Sequence, residues 1–488
     1  MIQQMLKRLK NQLQKSWFQR GMTLFILVLS IAMNGCDAIY LNELESQTRL
    51  QNKEIRVAIQ KHPLIFWPAS TVKDKSSSTS SPSAPVKGSS SNSSSATLSH
   101  GVDYDLLRHF AKTYKLKIRW IAVNSQEEAI EKTQNGEADI TAARISNLAQ
   151  DHQLNVGPAL EDTQLSLFCP YKIKINQLDQ VQTETILISK TDNYIRFESK
   201  ALYEYPKANV EVLALSPKEI FQQALQRKNT CAVTETREGL MWMKLYPAMA
   251  WIDRLSENFS ISWLVAQDNQ DLLLLLKAWF QRASREDEII RVHDRYRSLH
   301  SILSRSDVRQ FLKNKRELLP DLKKYFLEAA EETQLPWTLI AAIAYQESHW
   351  NESARSKTGV RGIMQLTQDT ADHLGISDRT DPEESIRGGA RYIKYLFELT
   401  PKHLHFQDRL SLALSGYNMG WAHVEDAQKL AEDKGLNPNS WKHLQTILPL
   451  LADPAYAKDL EYGQARGHEA KDFVERVQAF YTLLRIHE

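Results

Sequence analysis

Glu347 ends an apolar run, LIAAIAYQESHW, that spans Leu339 to Trp350. Pro336 suits the first turn of a helix, and counting back from Glu347 at helical spacing reaches Ala344, Ile343 and Ile340. Those residues must face a core, so the carboxyl on their stripe is expected to be partly desolvated. Desolvation disfavours the charged form, raises the pKa and keeps a transferable proton near neutral pH. For a lone glutamate the plainer reading is a side chain reaching past the helix end into water. The surrounding motifs bear on that choice.

Three of them follow in order. In SKTGVRGIMQLTQDTADHLG (Ser356 to Gly375), Gly359 and Gly362 permit a tight loop before a helix expected from Gln365 to Leu374. In ALSGYNMG, Tyr417 and Asn418 stand near a helix end, between Gly416 and Gly420. YGQARGHEAKDFVERV brings Glu469 and Phe473. Each alone reads as a turn, a cap or a surface contact; together and in order they form a constellation. His349 and His373 have no partners at ligand spacing, so neither a metal nor another cofactor is expected.

Helices must position these residues. From residue 301 to 488 the pattern is helix upon helix, with expected helices at Asp321 to Glu332, Pro336 to His349, Gln365 to Leu374, Pro382 to Leu399 and Asp408 to Tyr417. This is a separate all-α domain. Residues 52–300 instead alternate strand and helix, as in IRVAIQ, EEAIEKTQNGEADITAARI and EVLALSPKEIFQQALQRKNTCAVTET, which implies a parallel-type α/β domain of two lobes. Residues 75–100 are serine-rich with almost no large apolar side chains. They read as a disordered insertion at a strand-to-helix loop of that domain.

With 488 residues the chain needs two or three domains. Its net charge of +2 hides an asymmetry: Lys7, Arg8, Lys10, Lys15 and Arg20 precede the first acid, so the remainder is slightly acidic. Nothing in that balance suggests a nucleic-acid binder, and no nucleic-acid partner is expected. The basic segment, the run MTLFILVLSIAM and the break at Asn34-Gly35-Cys36 read as a secretory signal over residues 1–36, which places the bulk of the chain outside the cytoplasm. Cys169 and Cys231 would then lie in an oxidising compartment, where a bond between them is open.

The motifs E-S at 347–348, G-I-M-Q at 362–365 and G-Y-N at 416–418 resemble the lysozyme-like domain of the family 1 lytic transglycosylases, over residues 310–485. The resemblance implies cleavage of the MurNAc–GlcNAc bond of peptidoglycan with formation of 1,6-anhydro ends. Glu347 would act as acid and then base; Ser356, Met364, Gln365, Tyr417 and Asn418 would bind substrate or orient Glu347; Ser348 and Glu469 would give structural support. Residues 52–300 resemble the family 3 periplasmic solute-binding proteins, which hold polar ligands between two lobes. This chain has no arginine in SNLAQDHQL, where that family places its carboxylate clamp; Arg144 stands earlier, and Glu235 lies near the place of the amine-gripping acid. A muropeptide is therefore expected in preference to a free amino acid. Gly35-Cys36 resembles the end of a bacterial lipobox, although Met33 and Asn34 depart from it; this implies lipidation of Cys36, with an uncleaved anchor as the alternative. The expected place is the periplasm, attached to a membrane, with the outer membrane favoured over the inner. Two other readings stay open: a solute-binding sensor with a non-catalytic glycan-binding domain, and a hydrolytic muramidase.

Overall fold

The structure, a computed structural model, describes residue 43 and residues 45–62, 65–66, 99–146, 153–173, 184–189, 208–297, 302–356 and 359–486. Cys36 and its leader, residues 75–98 of the serine tract and residues 147–152 of the SNLAQDHQL stretch lie outside them.

The α/β region contains two five-stranded sheets. The first is built from β1 (Glu54–Gln60), β2 (Lys117–Val123), β3 (Ile140–Ser146), β4 (Asn155–Thr163) and β10 (Phe259–Val265), in the order β2-β1-β3-β10-β4. The second contains β5 (Leu165–Pro170), β6 (Thr185–Ser189), β7 (Asn209–Leu213), β8 (Thr230–Glu235) and β9 (Met249–Arg254), in the order β7-β6-β8-β5-β9. The expected parallel pattern covers only part of each sheet. β1 runs parallel to β2 and β3, and β6 to β7 and β8, whereas β10 and β5 pair antiparallel with both of their neighbours. The antiparallel strands are those that carry the chain between lobes: β4 passes into β5 through Gln164, and β9 leads back into β10.

Helices cover the sheets, among them α1 (Val102–Tyr114), α2 (Gln126–Gln134), α3 (Pro217–Gln226), α4 (Thr236–Leu245), α5 (Gln270–Arg285) and α6 (Glu288–Arg297). Every residue of β3 and β8 is buried, as strands covered on both faces must be. Cys169 and Cys231 sit on neighbouring strands β5 and β8 and form a disulfide, with Cα atoms 4.4 Å apart.

The remainder is helical: α7 (Arg305–Glu317), α8 (Leu319–Thr333), α9 (Trp337–Ser348), α10 (Gln368–His373), α11 (Pro382–Leu399), α12 (Phe406–Met419), α13 (Trp421–Asp433), α14 (Trp441–Ile447), α15 (Pro454–Ala457) and α16 (Gly467–Ile486). α11 spans the expected residues because Asp381 caps the Glu384 N–H and Pro382 opens the first turn. α10 begins three residues later than expected. Gln365 adopts a left-handed φ of 47°, which no helix tolerates, and Thr367 supplies the cap. α9 is buried from Trp337 to Tyr345 on all sides, which makes it the central helix of this region. It is held by Tyr345, whose ring meets Phe311 of α7 at 4.8 Å and Phe480 of α16 at 4.6 Å.

The two regions share apolar packing. One buried cluster runs from Phe168, Phe221 and Trp242 of the second lobe into the helical residues around Phe311 and Ile343. The first lobe adds His100, whose ring stacks on Phe406 at 4.6 Å.

Candidate active site

The end of α9 fixes Glu347. His349 and Trp350 both adopt left-handed backbone, with φ of 54° and 63°, so the chain turns sharply just after the glutamate. Trp350 folds back and donates its indole N–H to the Ala341 carbonyl at 2.8 Å. Ser348, expected as support, donates its hydroxyl to Ala344 at 3.1 Å. Ile340, Ile343 and Ala344 are fully buried, and Glu347 is partly buried on their stripe. Desolvation alone pushes its carboxyl up to about 8. Among the described residues no hydrogen bond to this carboxylate is formed, so nothing offsets the desolvation.

The stretch from Ala354 to Leu366 follows in the chain, described except at residues 357–358. Gly362 has a φ of 79°, and a Cβ there would lie 2.0 Å from the Arg379 carbonyl oxygen, so only glycine fits. Ser356 closes the loop tip: its N–H donates to Val360 at 3.1 Å, and its hydroxyl accepts from the Val360 N–H at 3.3 Å. The Gln365 amide donates to the carbonyls of Gly362 at 2.7 Å and Ala354 at 3.2 Å. The side chain expected to face sugar or Glu347 therefore braces its own loop. Met364 forms no open floor either, because its side chain has no exposed surface and packs on Gly389. It serves the site through its backbone, which accepts a hydrogen bond from the Tyr417 hydroxyl at 3.0 Å.

Tyr417, in the last turn of α12, lies parallel to Phe473 of α16 at 6.1 Å and beside Tyr392 of α11 at 5.3 Å. Burial raises its phenol well above the ordinary range, and the negative charge of Glu347 raises it further. Tyr417 thus stays a neutral donor close to the carboxyl. Asn418 is exposed one residue on. Glu469 does not hold α16 in place as expected. It is exposed and pairs with Arg466 at 3.3 Å within one turn, an arrangement worth little. Arg476 does that work: it donates to Gln346 at 3.0 Å and to Asp307 at 3.1 Å, tying α16 to α9 and α7. Its signal lay in Gln346, the neighbour of Glu347, but pairing across helices has no sequence spacing to betray it.

A second polar cluster lies where the lobes meet. Arg144 of β3, buried and with a φ of 53°, forms ion pairs with Glu161 of β4 and Glu235 of β8. Thr163 donates to Glu235 at 2.9 Å, and Arg237 pairs with Glu161. Burial raises the Glu161 carboxyl, but Arg144 and Arg237 outweigh it and hold it at about 2. Asp103 at the start of α1 is pushed by burial up to about 7, against the pull of Arg144. His62 of the first lobe meets Glu238 of the second at 3.1 Å. Among the described residues no group of three or more His, Cys, Asp or Glu could hold a metal ion.

This pairing of a two-lobed α/β region with a helical region carrying Glu347 and Tyr417 defines a class. Residues 92–299 match the family model "Bacterial extracellular solute-binding proteins, family 3", and residues 324–439 match "Transglycosylase SLT domain". Among solved structures, a cysteine-binding protein from Campylobacter jejuni is similar at 15% identity and a TM-score of 0.39, covering 54% of this chain and 97% of its own. Two curated relatives extend across both regions. Membrane-bound lytic murein transglycosylase F from Nitrosospira multiformis is 33% identical over 80% of this chain and 82% of its own length. The protein of the same name from Shewanella loihica is 32% identical over 79% and 81%. The chain belongs to the membrane-bound lytic murein transglycosylase F family, and is an enzyme of the peptidoglycan lytic transglycosylase class.

Proposed function

We propose that this chain cleaves the MurNAc–GlcNAc β-1,4 bond of peptidoglycan without water, using Glu347 for both proton transfers. The observation that carries this reading is the raised, unpartnered carboxyl of Glu347 with neutral Tyr417 close by. Below pH 8 the carboxyl keeps its proton and donates it to the bridging oxygen as the C1–O bond breaks. The carboxylate so formed takes the proton of the muramyl C6 hydroxyl while O6 attacks C1. The product carries a 1,6-anhydro ring and Glu347 is protonated again. Attack within one sugar gives a high effective concentration and removes the need for a second carboxylate. Mass spectrometry of digested murein tests this: anhydro ends support it, reducing ends indicate a hydrolytic muramidase, and intact murein indicates a sensor that only grips glycan.

The α/β region is proposed to take a muropeptide and regulate cleavage, because Arg144, the nearest substitute for an amino-acid clamp, is already engaged. Among the described residues no helix is long and apolar enough to cross a membrane. Periplasmic attachment, on the outer membrane by preference, is proposed to run through lipidated Cys36. Cys36→Ala should then release the protein into a soluble fraction; retention at full length would favour an uncleaved anchor.

A further inference from the structure

We infer that Trp421 and Tyr462 form a sugar-stacking subsite beside the catalytic residues, which holds an N-acetylated pyranose of the glycan strand. The inference rests on the glycan-cleaving reading above and adds to it where the strand lies.

Trp421 opens α13 just after the Gly420 break, and its partly buried ring folds back over the last turn of α12. A Cβ on Gly416 would stand 3.1 Å from the Trp421 ring and 3.3 Å from Leu396. Gly416 is where the resembled motif places an alanine, so the glycine gives the indole its room against the turn that bears Tyr417 and Asn418. The indole N–H donates to Glu425 at 3.0 Å, which fixes the rotation of the ring.

Tyr462 supplies a second aromatic surface, with 47% of the residue exposed. Buried Asp426 holds its position by accepting the backbone N–H groups of Glu461 at 3.0 Å and Tyr462 at 3.1 Å. Asp426 follows Glu425 on α13, so the backbone that carries Tyr462 is held one residue from the group that orients Trp421. Two aromatic surfaces with exposed carboxylates beside them, next to Asn418, match the chemistry of a β-1,4-linked pyranose. Such a sugar offers an apolar C–H face to an aromatic ring and a rim of hydroxyl donors to carboxylates. Sequence order hides the arrangement, because Tyr462 follows Trp421 by a long excursion and Asp426 ties the Tyr462 backbone to the helix that Trp421 opens.

The test uses the full chain on purified glycan strands, with steady-state kinetics for Trp421→Ala, Trp421→Phe and Tyr462→Ala. Calorimetry of the same variants in a Glu347→Gln background measures binding of chitohexaose. Trp421→Ala should raise KM about tenfold and leave kcat within about twofold, because a binding contact that takes no part in the proton transfers is lost. Trp421→Phe should recover most of the affinity, and Tyr462→Ala, on an exposed side chain, should weaken binding without lowering Tm. Unchanged KM and chitohexaose affinity in Tyr462→Ala, together with an effect of Trp421→Ala on Tm alone, would overturn the subsite and leave the catalytic reading standing. Absence of cleavage by the unaltered chain would overturn the catalytic reading itself.

Discussion

Arg144 and Glu235, on different lobes of the α/β region, are bound to each other at two points, Nε to Oε2 at 3.0 Å and Nη2 to Oε1 at 2.5 Å. The guanidinium that would meet a ligand carboxylate is occupied by the protein's own acids. Free amino acids should therefore show no binding to the full chain by calorimetry at millimolar concentration, whereas muropeptides that reach beyond this pair should bind. Arg144→Ala would strand Glu235 in the interior and leave Glu161 to Arg237, at a cost of about 3–5 kcal/mol. A drop in melting temperature measured by calorimetry checks that figure.

Glu347→Gln keeps the shape of the side chain and removes the proton. Murein cleavage should fall by orders of magnitude while the circular dichroism spectrum stays unchanged. A near-normal rate in the folded variant would sink the single-carboxyl mechanism.

The same residue makes stability depend on pH. Its folded pKa of about 8 lies above the ordinary glutamate value, so the folded state holds a proton that the unfolded state loses. That contribution is complete below the unfolded pKa near 4.5 and fades as pH rises toward 8. Glu347→Gln lacks it. The variant's melting temperature should gain on the unaltered protein between pH 5 and pH 8.5, and the cleavage rate of the unaltered protein should decline above about pH 8.

Tyr417→Phe removes one hydroxyl and leaves the Met364 carbonyl without its donor. An unsatisfied buried acceptor costs about 1–3 kcal/mol, and the loop from Ala354 to Leu366 loses its tie to α12. Cleavage should drop about 10–100-fold, chiefly in kcat. Steady-state rates on glycan strands read this directly.

Local spacing made some of this architecture legible. The apolar stripe behind Glu347, the Asp381-Pro382 start of α11 and the strand-helix alternation of the α/β region are all short-range patterns. What spacing could not show was partnership at a distance. Met364 and Gln365 sit in a motif that suggests contact with sugar, yet one is fully buried and the other braces its own loop. The Gln365 backbone is left-handed, and a glutamine gives no warning of that. Arg476 looks like any surface arginine until α16 is folded against α9.

The last prediction concerns how far the helical region stands alone. It carries Glu347, Tyr417 and the residues around them, and α9 has a closed apolar environment of its own. Residues 301–488 should therefore fold and cleave murein by themselves. The cut also removes real contacts: His100 stacks on Phe406, Lys218 donates to the Ile486 carbonyl at 3.0 Å, and apolar packing continues into Phe168 and Trp242. Exposing that surface should lower the melting temperature by several degrees relative to the full chain. Calorimetry of the fragment and murein digestion under the same conditions provide the check. A fragment that folds but does not cleave would show that contacts from the α/β region are needed to assemble the site around Glu347.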